Sequence, residues 1–136
     1  MKDYVLDSNA LVRLFRNSPG ADIVADLISQ AKAGRARLSI SVVNLIEVVY
    51  VLTRFFGHER ALLCIDKARQ VAESFPVDEQ CALNTAEVRI QYKLGLADCF
   101  AAELAMRMGA TLVTADPEFA KLGKRLKVLT LPRHSA

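Results

Sequence analysis

Short apolar stretches alternate with amphipathic helical stretches along this chain, and no two-residue hairpin signal joins any pair of them. Strands that cannot turn back on themselves must cross over through the intervening helices, which gives a parallel sheet with helices on both faces. The stretches at 4–6, 37–40, 111–114 and near 128–131 are too short for helices and read as strands. Between them, apolar spacing predicts helices over 9–15, 21–33, 42–56, 59–74, 79–94 and 97–108, with a short one opened by Asp116-Pro117-Glu118. Ser41 and Asp78 are expected as N-caps, Gly34, Gly57, Gly95 and Gly109 as stops, and Pro76 as a breaker. The valine-rich 42–56 stretch would suit a strand by composition, but its length exceeds the roughly 3–10 residues of ordinary strands. The expected fold is a three-layer α/β/α domain over residues 1–136, with a short-stranded, mainly parallel central sheet flanked by helices.

In open parallel sheets, ligands bind beyond the carboxyl ends of the strands. Four acids fall at that edge by their place in the chain. Asp7 ends the first strand, Asp116 follows the strand 111–114, Asp98 opens a helix after Gly95, and Glu47 lies under two turns into the helix after the second strand. Taken singly, Asp7 suits a helix cap after a strand, and Asp116 followed by Pro117 and Glu118 is a strong helix start. Asp98 suits the positive end of its helix. Glu47 is harder to explain structurally, since its neighbours at helical spacing are Val43, Asn44, Tyr50 and Val51. A carboxylate in such a stripe needs a partner, either a basic residue such as Arg54 or a cation. Brought together, the four would repel one another unless a positive charge stood between them, and hard oxygen donors suit Mg²⁺ or Mn²⁺. Ser8, Asn9 and Thr114 stand beside these acids, and such polar groups orient carboxylates or hold metal-bound water.

Composition narrows the class. At 52% hydrophobic and 24% charged, the chain reads as an ordinary globular protein rather than a disordered one. No apolar run reaches the roughly 18 residues of a membrane span, and Asp3 and Asp7 interrupt any leader-like start. Cys64, Cys81 and Cys99 are odd in number and form no C-x-x-C pair, so buried thiols are expected and a cytoplasmic location with them. Residues 1–120 hold 13 basic and 15 acidic residues. By contrast, residues 121–136 hold five basic ones (Lys121, Lys124, Arg125, Lys127, Arg133) and no acid. Such a segment is either a solubilising tail or a basic rim that attracts a polyanion to the acidic pocket.

Several chemistries lack their residues. There is no glycine-rich nucleotide fingerprint. The only histidines are His58, at a helix start, and His134, in the tail, which argues against a paired-histidine nuclease, a histidine-held zinc or a serine triad through Ser8. A receiver-type phosphoacceptor domain fits the length and the sheet. However, the first strand ends in one acid rather than an adjacent pair, and the last strand lacks a lysine just beyond it.

The residues Val5-Leu6-Asp7-Ser8-Asn9, Glu47 in an apolar helix, Leu96-Ala97-Asp98 before an alanine-rich helix, and Leu112-Val113-Thr114-Ala115-Asp116-Pro117-Glu118-Phe119 together resemble the PIN-domain ribonucleases. The resemblance is greatest to the VapC toxins of bacterial toxin–antitoxin pairs and runs in order over almost the whole chain. Ser8 stands where threonine is also common, which keeps the hydroxyl. The resemblance implies that Asp7, Glu47, Asp98 and Asp116 bind one or two Mg²⁺ or Mn²⁺ ions, supported by Ser8, Asn9 and Thr114. It implies endonucleolytic hydrolysis of RNA to a 5′-phosphate and a 3′-hydroxyl. Nothing in that chemistry uses a 2′-hydroxyl, so the preference for RNA comes from the resemblance alone. It further implies a homodimer and a small VapB-like antitoxin partner. Leu14, Phe15, Tyr50, Phe55 and Phe56 are candidates for such an interface or for ordinary core packing. A PIN-like fold that only binds RNA or protein is the non-catalytic alternative.

Overall fold

The computed structural model describes residues 1–134. The chain runs β1 (Lys2–Leu6), α1 (Ser8–Arg16), α2 (Ala21–Lys32), β2 (Ala36–Ser41), α3 (Val42–Phe56), α4 (His58–Arg69), β3 (Ala72–Phe75), α5 (Glu79–Tyr92), α6 (Leu96–Met108), β4 (Thr111–Thr114), a 3₁₀ segment (Pro117–Arg125) and β5 (Lys127–Thr130). The strands form one five-stranded sheet in the order β3-β2-β1-β4-β5, and every neighbouring pair is parallel. β1 is therefore central. The chain winds outward from it through β2 and β3, then crosses to its other side for β4 and β5. The crevice between β1 and β4 is where such a sheet presents a ligand site.

Successive strand residues point to opposite faces, and the core divides accordingly. Val5 and its register partner Leu112 pack with Cys99, Leu104 and Phe119 against α6 and the 3₁₀ segment. Leu6 and its partner Val113 pack on the other face with Leu11, Val24, Val48, Leu52 and Ile65 from α1 to α4. The three expected layers are present. All three cysteines are free thiols. Among the described residues, no helix is long and apolar enough to cross a membrane.

α3 is a helix despite its valines. Ser41 caps it by accepting the Val43 N–H at 3.2 Å, and Gly57, at φ 85°, ends it. The stretch 59–74 is not one helix as expected. α4 stops at Arg69, and Ala72–Phe75 becomes the edge strand β3 beside β2. Ala61, Ile65, Ala68 and Ala72 are all buried at helical spacing, so the apolar pattern runs on where the backbone changes. α5 likewise ends before Gly95, with Lys93 taking the left-handed conformation at φ 56°.

One glycine binds the end of the chain to its beginning. Gly20 sits at φ 92°, and a Cβ there would stand 3.0 Å from Leu131 Cβ. Leu131 is buried and donates its N–H to the Thr114 carbonyl at 2.7 Å. Gly20→Ala is expected to cost at least about 2 kcal/mol of stability from the left-handed backbone and the displaced Leu131. Urea denaturation measures it.

Candidate functional site

Asp7 leaves β1 and caps α1. Its Oδ1 accepts the Ala10 N–H at 2.8 Å, and Thr114 Oγ1 donates to its Oδ2. Thr114 is fully buried at the end of β4, and its hydroxyl also accepts the Asp116 N–H at 3.0 Å. One side chain thus fixes the carboxyl at the end of β1 and the loop that leaves β4. Asp7 itself is only 1% exposed. Burial pushes its carboxyl up to about 6, and the nearby charges of Asp116 and Glu47 push the same way against its hydrogen bonds to Thr114 and Ala10.

Asp98 and Asp116 form the other side. Asp116 caps the 3₁₀ segment by accepting the Glu118 N–H at 2.9 Å on Oδ1. It lines the same cleft as Asp98. Two carboxylates in one cleft repel each other and favour a proton or a cation between them. Burial, then the charges of Asp116 and Asp7, the contact with Asp116 and finally Glu47 raise Asp98 to about 7.

Glu47 is only partly buried, not sealed in the apolar stripe that its neighbours suggest. Ser8 Oγ donates to its Oε1 at 2.6 Å, while Arg54 lies over the Tyr50 ring instead. Asn44, one turn earlier on α3, is fully buried and donates through Nδ2 to the Ala97 carbonyl at 3.3 Å. It thereby joins the helix of Glu47 to the first turn of α6, next to Asp98. Its Oδ1 has no hydrogen-bond partner among the described residues. Sequence reasoning took Asn44 as part of the apolar surroundings of Glu47, although a lone amide in such a run was the available signal.

Asp7, Asp98 and Asp116 line one cleft of about 280 Å³, together with Asn9, Arg13 and Arg133. Glu47 and Ser8 line an adjoining hollow of about 180 Å³ that shares Asn9 with the first. Three of the four acids therefore meet in one cleft, and the fourth acts on Asp7 and Asp98 by charge from beside it. Among the described residues, no three acid, imidazole or thiol groups close into a finished ligand cage. Asn9 lines both hollows, and among the described residues its side chain makes no hydrogen bond to an acid. Its Oδ1 accepts from Arg13 Nε at 2.9 Å. Of the five basic residues after 120, Arg133 lines the cleft, whereas Lys121 pairs with Glu118 at 2.7 Å and Arg125 donates to Gln91 and Tyr92. Arg13, which sequence reasoning passed over, supplies the cleft's other cation.

Comparison with known proteins places this arrangement. The family model of the PIN domain matches residues 4–125. Among solved structures, a chain of VapBC2 from Rickettsia felis, bound to a DNA fragment from its promoter, aligns with a TM-score of 0.78 at 22% identity, covering 96% of this chain and 99% of that one. A chain of DNA-bound VapBC from Salmonella typhimurium gives 0.74 at 21% identity, covering 96% and 98%. A chain of VapBC-5 from Mycobacterium tuberculosis gives 0.65 at 18%, covering 96% and 99%. At these identities the likeness is one of fold. No curated protein matches the chain in sequence. With a family match that runs from the first strand through the 3₁₀ segment, the chain belongs to the PIN-domain family.

Proposed function

We propose that this protein is a divalent-metal-dependent endoribonuclease, a single nuclease domain over residues 1–136. In this reading it acts in the cytoplasm as the toxin of a VapBC-type pair and inhibits translation and growth by cutting RNA. The observation that carries the proposal is the convergence of Asp7, Asp98 and Asp116 on one cleft at the carboxyl edge of the sheet, with Glu47 beside it. Acids that raise one another's proton affinity are poised to exchange those protons for a cation. Their all-oxygen donor set fits Mg²⁺ or Mn²⁺.

Asp7, Glu47, Asp98 and Asp116 would hold one or two ions. Bound there, such ions supply an acidified water and stabilise charge on the leaving oxygen of a phosphodiester. The chain's own part is orientation. Thr114 fixes the Asp7 carboxyl from β4, and Ser8 fixes Glu47 from α1. Asn44 holds the start of α6 against α3, so Asp98 and Glu47 keep their separation. Membership of the PIN family sets aside the receiver-type alternative.

Partners follow in the same proposal. The solved structures aligned above carry the VapBC name, one of them as a member of the VapBC family of toxin–antitoxin systems. This supports a small VapB-like antitoxin for this chain, while the homodimeric assembly rests on the family resemblance alone. Tyr50 and Phe55 are 62% and 53% exposed, with Arg16 stacked 3.5 Å over the Phe55 ring, and offer such a partner an aromatic surface. Leu14, Phe15 and Phe56 pack instead against the core.

The test is incubation of the purified protein with structured RNA in Mg²⁺ or Mn²⁺, beside a chelator control and an Asp7→Asn variant. Cleavage in the ions alone is expected, with 5′-phosphate ends. Activity that survives both controls would overturn the metal-dependent mechanism. RNA binding without cleavage, unchanged by Asp98→Asn, would favour a binding module.

A further inference from the structure

Arg13 is held in an unusual way for a cation beside acids. Its Nε donates to Asn9 Oδ1 at 2.9 Å. Its Nη1 donates to the Pro19 carbonyl at 2.7 Å and the Pro132 carbonyl at 3.0 Å. All three acceptors are neutral. Among the described residues, Arg13 forms no ion pair, although Asp7, Asp98 and Asp116 line the same cleft. A guanidinium has five N–H donors. Three are used here, and the two on Nη2 have no partner among the described residues. The Pro132 contact also fixes the backbone next to Arg133, which lines that cleft.

We infer that Arg13 and Arg133 form a seat for an RNA phosphate neighbouring the scissile one, and that Asn9 is the positioning residue that sets Arg13. This inference rests on the proposed nuclease function. A polyanion entering the cleft meets three acids and two arginines along its lining. Its reacting phosphate belongs with the acids and their ions, and the next phosphate belongs with the cations. A guanidinium already fixed at three donors loses little further freedom on binding, and its Nη2 N–H groups remain to give a charge-assisted hydrogen bond to a phosphate oxygen. The competing role is purely structural, with Arg13 serving only to fasten the C-terminal segment.

Salt dependence separates the two, because each phosphate contact to a single strand contributes about 0.7 to the slope of log affinity against log salt. Binding of a labelled single-stranded RNA in Mg²⁺ is measured against KCl concentration in the Asp98→Asn protein, with and without Arg13→Gln, Arg13→Lys or Arg133→Gln. Arg13→Gln is expected to weaken binding about tenfold and to flatten the slope by about 0.7. Arg13→Lys should restore the slope and only part of the affinity, since lysine keeps the charge but not the fork. In the otherwise native protein, Arg13→Gln should raise KM and leave kcat within about threefold, the mark of lost uniform binding. An unchanged slope in folded Arg13→Gln protein overturns the seat, even if affinity falls. If Arg13→Gln does not fold, Arg133→Gln decides by the same slope. RNA binding by no variant also overturns it. Absence of cleavage by the native protein, with slopes that still depend on Arg13, would sink the nuclease reading and leave the seat standing.

Discussion

Replacing Asp98 with asparagine is expected to reduce RNA cleavage by at least about 100-fold and, at the same time, to raise thermal stability at pH 8. The loss follows from the role of Asp98 as a proposed metal ligand. Changing groups that merely orient such ligands costs about 10–100-fold, so removing a ligand costs no less. The gain follows from electrostatics. The Asp98 carboxyl is raised to about 7 by burial and then by Asp116, Asp7 and Glu47, so ionising it at pH 8 works against the fold. A neutral amide of the same shape removes that penalty. Asp98 is partly exposed, so the gain is discounted for screening to about 1–3 kcal/mol. Cleavage rates and melting curves of the variant at pH 5 and pH 8 test both halves. A variant that melts lower at pH 8 and still cuts RNA would make Asp98 an ordinary structural acid.

Stability of the native protein without divalent ions should fall between about pH 4 and pH 7, the reverse of the usual acid-side loss. Asp7 goes from 3.8 to about 6 on folding and Asp98 from 3.8 to about 7. A carboxyl raised in the folded state binds its proton more tightly there than in the unfolded chain. Its contribution is therefore fully present below the unfolded value, declines as pH rises, and is gone above the folded value. For Asp7, buried almost completely, about two units correspond to about 3 kcal/mol, or a fall in Tm on the order of 10 °C. Mn²⁺ or Mg²⁺ at pH 8 should reverse the fall, since an ion at about 100 times its Kd adds about 2.7 kcal/mol. The reversal should disappear in Asp7→Asn. Melting temperatures that are flat across this range, or indifferent to Mn²⁺ in the native protein, would count against a cation-hungry cleft.

The fold was legible because its signals were redundant. Ser41 and Gly57 bracket α3, Asp78 caps α5, and hairpin turns are missing throughout, so helix ends and the parallel sheet reinforce one another. β3 was hidden for a physical reason. Ala72 continues the spacing of Ala61, Ile65 and Ala68, and only pairing with β2, a tertiary event, makes it a strand. At the site, the three acids that follow β1 and β4 or open α6 could be placed by topology alone. The surroundings of Glu47 could not, because periodicity says which residues share a helix face but not how deep that face lies. The bond from Asn9 to Arg13 was hidden for a similar reason. An asparagine after an aspartate looks like support for that aspartate, and its true partner is one turn further along α1.

β1 is the first strand made and the central one, and this sets when the cleft can exist. The acceptor of the Thr114 hydroxyl lies 107 residues earlier in the chain. β1 waits unpaired on that side until β4 arrives, and the β4 end is secured only when Leu131 reaches the Thr114 carbonyl. Closing so long a separation carries the loop-closure cost that makes non-local pairing slow. A chain that lacks β4 therefore carries Asp7, Glu47 and even Asp98 without Thr114 and Asp116, and so without the groove that joins them.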